Sequence, residues 1–259
     1  MAELTAKQFE RECANPYTTE PLAVQARNHA AAAGANIAAS QTNVQAKIKP
    51  APGTVGEVKT DIVFGSHRVS VKFKGAVQLT SAEGTTTANM FRAVNDTFPA
   101  DLQDTFLACG LDWIITNLQQ MPVRGVAPQN IKRVLLEQPS TKHWNSKNWF
   151  QNGKLLPQYD YGLWNKNIGT LLASRITKFL ETHPIFAVRL VEEALTGCYT
   201  MGRHHFASAT HILTPFYYKP IDDDYIQKVY SNLKCIRISQ KSRKGVTSGT
   251  LRMDYKVCK

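Results

Sequence analysis

The chain has 259 residues, 43% of them hydrophobic, so it is long enough for one large or two small domains with a sizeable core. It contains no run of about eighteen apolar residues and starts with a polar segment, so we expect neither a membrane span nor a secretion signal. Its 5 cysteines form no Cys-x-x-Cys pair, which argues against structural zinc and favours reduced thiols. The formal net charge of +11 indicates a polyanionic partner.

Two helices are predicted near the start of the chain. Leu4–Cys13 carries a capping box, in which Thr5 and Gln8 satisfy each other's backbone N–H groups, and Phe9 is its apolar anchor. Glu20–Ser40 is rich in alanine, which favours helix and leaves a surface of small side chains. Such a surface permits close packing against another helix or a neighbouring subunit.

A β-hairpin is predicted after these helices. Lys59–Phe64 and Arg68–Lys74 form its two strands, and Gly65 tolerates the positive φ of the tight turn between them. Apolar and polar residues alternate along the second strand, so its polar side chains share one face. Asp61 on the first strand is therefore expected to lie near Lys72 on the second.

The middle of the chain predicts helices and one polar, aromatic segment. In Ser140–Trp164, tryptophan and tyrosine stand among lysine and asparagine, a composition that either stacks on nucleic-acid bases or fixes a long loop to the core. Thr210–Tyr218 predicts a buried strand. Hydrophobic spacing and capping residues predict helices within Ser81–Asp96, Leu102–Leu118, Asn130–Gln138, Ile168–Thr182, Ile185–Leu195 and Asp222–Leu233.

The C-terminal segment is strongly basic. Ile226–Lys259 holds nine lysines and arginines against one acid, Asp254. Cys235–Lys241 and Thr250–Val257 alternate as strands do, and a basic loop joins them into a second predicted hairpin. If the two hairpins join one sheet, their combined face is cationic, as DNA binding requires. The basic residues expected to contact DNA are Arg68, Lys74, Arg237, Lys241, Arg243, Lys244 and Arg252.

The first hairpin, KTDIVF followed by RVSVKFKG, resembles the core motif of the PD-(D/E)xK, or restriction-endonuclease-like, nucleases. The resemblance implies that Asp61 is a metal ligand and Lys72 the catalytic lysine. Ser70 stands where the family has a second acid, and with the QLTS that follows, the segment is similar to phage-encoded nuclease-like proteins with Ser-x-Lys. Mg²⁺ or Mn²⁺ is the implied cofactor. Ser70 belongs to the implied catalytic set, and Gln78 supplies a further carbonyl oxygen.

The acid that is absent at Ser70 has candidates elsewhere. LVEEALTGCYTMG resembles a second phrase of the same phage proteins and places Glu193 near a helix C-terminus, where the helix dipole disfavours an acid that serves no cation. Glu193 is therefore expected to be a catalytic residue and, with Asp61, a metal ligand. Glu10, Glu12 or Glu20 is the alternative helix-borne acid.

These features predict an α/β (α+β) fold, with a mixed central sheet flanked by helices in a restriction-endonuclease-like core. Residues 1–96 supply the N-terminal helices and the motif hairpin, 97–182 a helical insertion, and 183–259 a helix and basic strands that complete the core. The resemblance implies a phage-type, metal-dependent deoxyribonuclease, either an endonuclease or an exonuclease. The alternatives are a catalytically inactive DNA-binding or virion structural protein, associated with DNA ends or with the head or neck, and an RNA-binding protein.

The expected surroundings of the protein follow from the same reasoning. DNA is the expected partner, with further copies of the chain or other phage proteins as additional partners. No membrane is expected. The expected location is the host cytoplasm or the virion.

Overall fold

The computed structural model describes residues 4–41, 58–73, 76–106, 150–151, 154–155, 170–243 and 246–256. They form an α+β structure that divides into two compact units. The first unit comprises residues 1–80, 185–234 and 254–259, and the second comprises residues 81–184 and 235–253. The second unit therefore contains the predicted insertion together with residues on both sides of it.

Helix α1, Ala6–Ala14, begins at the predicted capping box. The Oγ1 atom of Thr5 accepts the N–H of Gln8 at 3.2 Å, and the Oε1 atom of Gln8 accepts the N–H of Thr5 at 2.9 Å. These bonds satisfy two donors that a helix start otherwise leaves unpaired. The predicted start is confirmed, and Phe9 is fully buried.

Helix α2, Pro21–Ala32, is shorter than predicted, so the extension to Ser40 is wrong. The chain leaves the helix at Gly34, whose φ of +82° is a left-handed conformation that glycine adopts without strain. A 3-10 turn at Ile37–Ala39 follows. The other helices are α3 Gly84–Asn95, α4 Ala100–Phe106, α5 Thr170–Thr182, α6 Pro184–Thr196, α7 Cys198–Met201 and α8 Asp223–Ser231.

Most of the later helix predictions are confirmed. Helices α3, α5, α6 and α8 coincide with the predictions at 81–96, 168–182, 185–195 and 222–233. Helix α4 covers the start of the prediction at 102–118, and the remainder of that range lies outside the described residues. The predicted helix at 130–138 and most of the aromatic segment at 140–164 lie outside them as well.

The strands of the described residues are β1 Ser40–Gln41, β2 Ile62–Phe64, β3 His67–Val71, β4 Ala76–Glu83, β5 Phe150–Gln151, β6 Lys154–Leu155, β7 His211–Leu213, β8 Tyr218–Pro220, β9 Leu233–Arg243 and β10 Val246–Lys256. The first unit contains a mixed sheet in the order β1-β2-β3-β7-β8. Strands β3 and β7 are parallel, and the other three neighbouring pairs are antiparallel. Strands β2 and β3 form the predicted hairpin, with Gly65 at its turn (φ +60°).

One strand prediction is wrong. The range Thr210–Tyr218 is not one strand, because Thr214 Oγ1 accepts the N–H groups of Phe216 and Tyr217 and turns the chain between β7 and β8. The condition that both hairpins join one sheet is not met, because the basic strands β9 and β10 form a second sheet in the order β4-β10-β9. Alternation along a strand indicates which of its residues share a face, but it does not indicate which strand lies beside it.

Helices α1 and α2 pack on one face of the mixed sheet. Their core includes Phe9 together with Phe64, Val69 and Leu213 from the sheet. The predicted small-residue surface of α2 is part of this core, and its fully buried side chains permit a close approach. These are Ala23, Ala26 and Ala30. Within the described ranges, no helix is long and apolar enough to cross a lipid bilayer.

The buried cation Arg27 joins these helices. Arg27 is 5% exposed. Its Nη1 atom donates to the Cys13 carbonyl at 2.7 Å, and its Nη2 atom donates to the Ile37 carbonyl at 3.0 Å. The guanidinium carbon lies 5.7 Å from the centre of the Phe64 ring. Arg27 therefore pairs a carbonyl from the last turn of α1 and connects α2 to the chain on either side.

Three rings are stacked across β3, β7 and β8. The ring centres of His67 and His211 are 4.0 Å apart, and those of His211 and Tyr218 are 5.1 Å apart. The Tyr218 hydroxyl lies 2.7 Å from His67 Nδ1. Burial, together with the neighbouring His67, lowers the pKa of His211 to about 4, so His211 is neutral at physiological pH.

We predict that Arg27→Met lowers the free energy of unfolding by about 2 to 4 kcal/mol, because two buried carbonyls lose a charged donor. Urea denaturation followed by circular dichroism measures this loss. Arg92→Met, which removes an exposed arginine from α3, is the control and should change stability little. An equal loss in the two variants would contradict the structural role of Arg27.

Candidate functional site

Asp61 lies directly before β2 and is 8% exposed. Its N–H donates to the Val69 carbonyl at 2.9 Å, and its Oδ2 atom accepts the N–H of Val71 at 2.6 Å. Oδ2 also accepts the Ser70 hydroxyl at 3.3 Å. The carboxylate is therefore held by β3, the strand that leads into Lys72.

Lys72 follows β3 directly, and its backbone N–H donates to the Leu213 carbonyl at 2.8 Å. Burial raises the pKa of Asp61, whereas the charge of Lys72 and the hydrogen bonds from Val71 and Ser70 lower it. Lys72 thus lies close to Asp61, as the hairpin pattern predicts. Ser70, at the acid position of the family motif, is 1% exposed and is a hydrogen-bond donor to Asp61.

Helix α1 brings a second carboxyl group, that of Glu10, to the same place. Burial and the negative charge of Asp61 raise the pKa of Glu10 to about 7, and the positive charge of Lys72 opposes them. The charges of both residues therefore act on Glu10. The sequence offers two other helix-borne acids. Glu12 accepts a hydrogen bond from the Thr18 hydroxyl, and Glu20 is the N-cap residue of α2.

A buried lysine, Lys59, lies two residues before Asp61 and is 5% exposed. Its charge lowers the pKa of both Asp61 and Glu193, so its ammonium group is near both acids. The N–H groups of Lys59 and Thr60 donate to the Ala207 carbonyl at 2.9 and 3.2 Å. Lys59 offsets part of the negative charge that the fold buries here.

Glu193 lies near the end of α6, as predicted, and is 1% exposed. Its carboxylate accepts the N–H of Tyr199 at 2.7 Å, the N–H of Thr200 at 3.4 Å and the Thr200 hydroxyl at 2.5 Å. Burial raises the pKa of Glu193, and these hydrogen bonds lower it. Because the N–H groups belong to the first turn of α7, Glu193 acts as a cap. Metal binding by Glu193 stays a prediction.

The Arg68 side chain is engaged within the protein, and its expected contact with DNA stays a prediction. Its Nη1 atom donates to the carbonyls of His204 and His205 at 2.7 and 2.8 Å, and its Nη2 atom donates to that of Arg203 at 2.8 Å. The other expected DNA contacts, and Gln78, stay predictions. Lys74 and Lys244 lie outside the described residues, whereas Gln78 on β4, Arg237, Lys241 and Arg243 on β9, and Arg252 on β10 are described by their backbone alone.

The donor set near Asp61 fits a hydrated divalent cation. Among the described residues, no group of three or more His, Cys, Asp or Glu side chains is placed to hold a metal ion. Mg²⁺, however, keeps most of its water and is commonly held by one or two carboxylates and the substrate phosphate. Asp61 and Glu10 supply two carboxyl groups, and because the pKa of Glu10 is raised to about 7, a cation that binds there has to displace a proton from Glu10 near neutral pH.

Sequence reasoning missed Lys59 and did not single out Glu10. Lys59 stands two residues before Asp61, a spacing that places both side chains on one face of an extended segment. That signal was present in the sequence. The choice of Glu10 over Glu12 and Glu20 had no such signal, because it depends on how α1 packs against the hairpin.

Comparisons of the chain with protein-family models, with curated proteins and with solved structures find no match. The residues of this chain and their contacts therefore carry the functional argument.

We predict that Glu10→Gln stabilises the protein at about pH 8 and that this gain shrinks as the pH falls towards about 5. The folded-state pKa of Glu10, about 7, is raised above its ordinary value of 4.5, so its contribution to stability is present below the ordinary value and is lost as the pH rises through about 7. Thermal unfolding across this pH range measures the effect. Glu181→Gln, at an exposed site on α5, is the control. A gain that does not change with pH would contradict the raised pKa of Glu10, which is due first to burial and then to the charge of Asp61.

We predict that Glu193→Ala lowers the free energy of unfolding by about 2 kcal/mol, since two N–H groups of α7 lose their acceptor in a buried site. Glu193→Gln retains one acceptor oxygen and should lose less. Chemical denaturation in a chelating buffer measures both variants. If Glu193 served only as a metal ligand, its replacement by alanine would leave stability unchanged or raise it in the absence of metal.

Proposed function

We propose that this protein is a metal-dependent nuclease that hydrolyses phosphodiester bonds in DNA. The observation that carries the proposal is that Asp61 is hydrogen-bonded to β3 beside Lys72, and that the charges of both residues act on Glu10 of α1. The resemblance of KTDIVF and RVSVKFKG to the PD-(D/E)xK motif supports it, because the motif contains the same aspartate and lysine on a hairpin. A mixed sheet with helices on it is also what a restriction-endonuclease-like core requires.

Each residue around Asp61 has a distinct role in the proposed reaction. The Val71 N–H and the Ser70 hydroxyl fix the orientation of Asp61. Glu10 supplies the second carboxylate, in place of the acid that is absent at Ser70. Lys72 carries a positive charge beside them, where it stabilises the negative charge that develops on the attacked phosphate and orients the water molecule.

Asp61 and Glu10 are the residues that would hold Mg²⁺ or Mn²⁺. When bound, the cation polarises the phosphate and lowers the pKa of a coordinated water molecule. Glu10 must be ionised to take part, and Lys72 favours that ionised form. When ionised, Asp61 and Glu10 carry two negative charges. Lys59 offsets part of this charge, since its ammonium group lowers the pKa of Asp61.

The charge of the chain favours a polyanionic partner, and the resemblance to PD-(D/E)xK nucleases makes DNA the proposed one. The formal net charge of +11 attracts a polyanion, and the basic strands β9 and β10 carry much of the excess. The phage-type resemblance adds the host cytoplasm or the virion as the place of action, with other phage proteins or further copies of the chain as additional partners.

A second candidate is a catalytically inactive DNA-binding or virion structural protein with the same fold. Two observations favour it. Ser70 replaces the acid of the motif, and Asp61 is only 8% exposed, which restricts its access to solvent. This protein would bind DNA through its basic strands and would not cleave it.

We predict Mg²⁺-dependent incision of DNA by the unchanged protein, and a loss of at least about 100-fold in Asp61→Asn and Lys72→Ala. Duplex, branched and single-stranded DNA are incubated with and without Mg²⁺ or Mn²⁺, and the products are separated by electrophoresis. Lys178→Ala, at an exposed lysine of α5, is the matched control and should retain activity.

Circular dichroism must show that the variants of Asp61 and Lys72 remain folded. Absence of cleavage of every DNA form by the unchanged protein would refute the nuclease and favour the DNA-binding alternative.

A further inference from the structure

The loop between α7 and β7 presents an aromatic pair to solvent. Its sequence is GRHHFA, residues 202–207. Phe206 is 50% exposed, and its ring stacks on that of His205 with the centres 4.2 Å apart and the planes 27° apart. A flat apolar surface of this kind is available to a planar ligand.

This loop is held rigidly, unlike an ordinary exposed connection. The Arg68 guanidinium binds the three consecutive carbonyls of residues 203–205. The Ser208 hydroxyl donates to the Gly202 carbonyl at 2.7 Å, and the Ala207 N–H donates to His205 Nδ1 at 3.2 Å. The ring of Phe206 is therefore presented on a fixed backbone, which reduces the entropy lost when a ligand stacks on it.

The same loop is fastened to the segment that carries the candidate site. The Ala207 carbonyl accepts the N–H groups of Lys59 and Thr60, the two residues before Asp61. Arg68 stands two residues before Ser70 on β3. Phe206 thus directly precedes Ala207, whose carbonyl is hydrogen-bonded to the backbone just before Asp61.

We propose that residues 202–207 are a base-stacking platform, on which Phe206, supported by His205, stacks against an unpaired base of the DNA that enters the site of Asp61 and Lys72. This inference rests on the proposed function and specifies its substrate class. A base within a duplex has both faces covered by its neighbours, so the platform selects single-stranded DNA, or duplexes with frayed or branched ends.

The charges around the loop suit this ligand. Arg203 is 64% exposed and is paired on one side with Glu192 at 2.8 Å. Arg203 belongs to the same loop as Phe206, so an exposed cation is available there to the phosphates of a single strand. Stacking on an aromatic ring tolerates any base, so the platform adds affinity without sequence preference.

The test compares Phe206→Ala with Phe216→Ala, which removes a phenylalanine of similar exposure (47%) from the loop between β7 and β8. Binding of fluorescein-labelled oligothymidylate, and of a blunt duplex, is measured by anisotropy in EDTA, so that no cleavage occurs. We expect Phe206→Ala to weaken binding of the single strand by about tenfold or more, and binding of the duplex by less than about twofold. Phe216→Ala should change neither. A single strand containing 2-aminopurine should show a fluorescence change on binding that Phe206→Ala abolishes.

Four outcomes would overturn the platform: an unchanged affinity of Phe206→Ala for the single strand, an equal loss in Phe216→Ala, an equal loss for the duplex, or no binding of DNA at all. A change in sedimentation of Phe206→Ala without a change in DNA affinity would also overturn it, in favour of a contact between copies of the chain.

The nuclease assay in Mg²⁺ is read separately. Cleavage that persists without any dependence on Phe206 removes the platform and keeps the nuclease, whereas Phe206-dependent binding without cleavage removes the nuclease alone.

Discussion

At the end of the ladder between β2 and β3, the side-chain carboxylate of Asp61 takes the place of a main-chain carbonyl acceptor. Asp61 donates its N–H to Val69 and accepts the N–H of Val71 through Oδ2, so that it continues the ladder between β2 and β3 past the end of the strand. The orientation of the carboxylate is therefore fixed by the same bonds that form the hairpin. The arrangement of the site depends on this constraint, because it sets where Glu10, Lys59 and Lys72 must meet Asp61.

Burial dominates the electrostatics of the acids near this hairpin. Lys59 and Lys72 each lower the pKa of at least one of Glu10, Asp61 and Glu193, and Lys7 and Arg11 also lower that of Glu10. The pKa of each acid is nevertheless raised, which shows that desolvation outweighs the stabilisation that the cations and hydrogen bonds provide. The pKa of Glu10 is raised to about 7 by burial first and by the charge of Asp61 second.

Local patterns in the sequence predicted local structure well. The capping box at Thr5, the hairpin turn at Gly65 and the helix start at Asp222 each depend on residues within one turn of each other, and each is confirmed. The proximity of Asp61 and Lys72 followed from the same hairpin. One failure was local, because Thr210–Tyr218 contains a turn at Thr214 that hydrophobicity conceals. The pairing of strands is long-range, and β9 and β10 belong to a different sheet from β3. Glu10, Lys59 and Arg68 acquire their partners by tertiary packing, which no periodicity within their own segments encodes.

Several cations of the described residues already have partners within the fold, which matters for the proposed binding of DNA. Arg27 and Arg68 bind backbone carbonyls, and Lys59 is buried and acts on two acids. Their charges nevertheless enter the formal total of +11. In a complex with DNA, the fall of affinity with added salt depends only on the lysines and arginines that contact phosphates. If the proposed complex forms, its salt dependence should therefore be weaker than the total number of basic residues suggests.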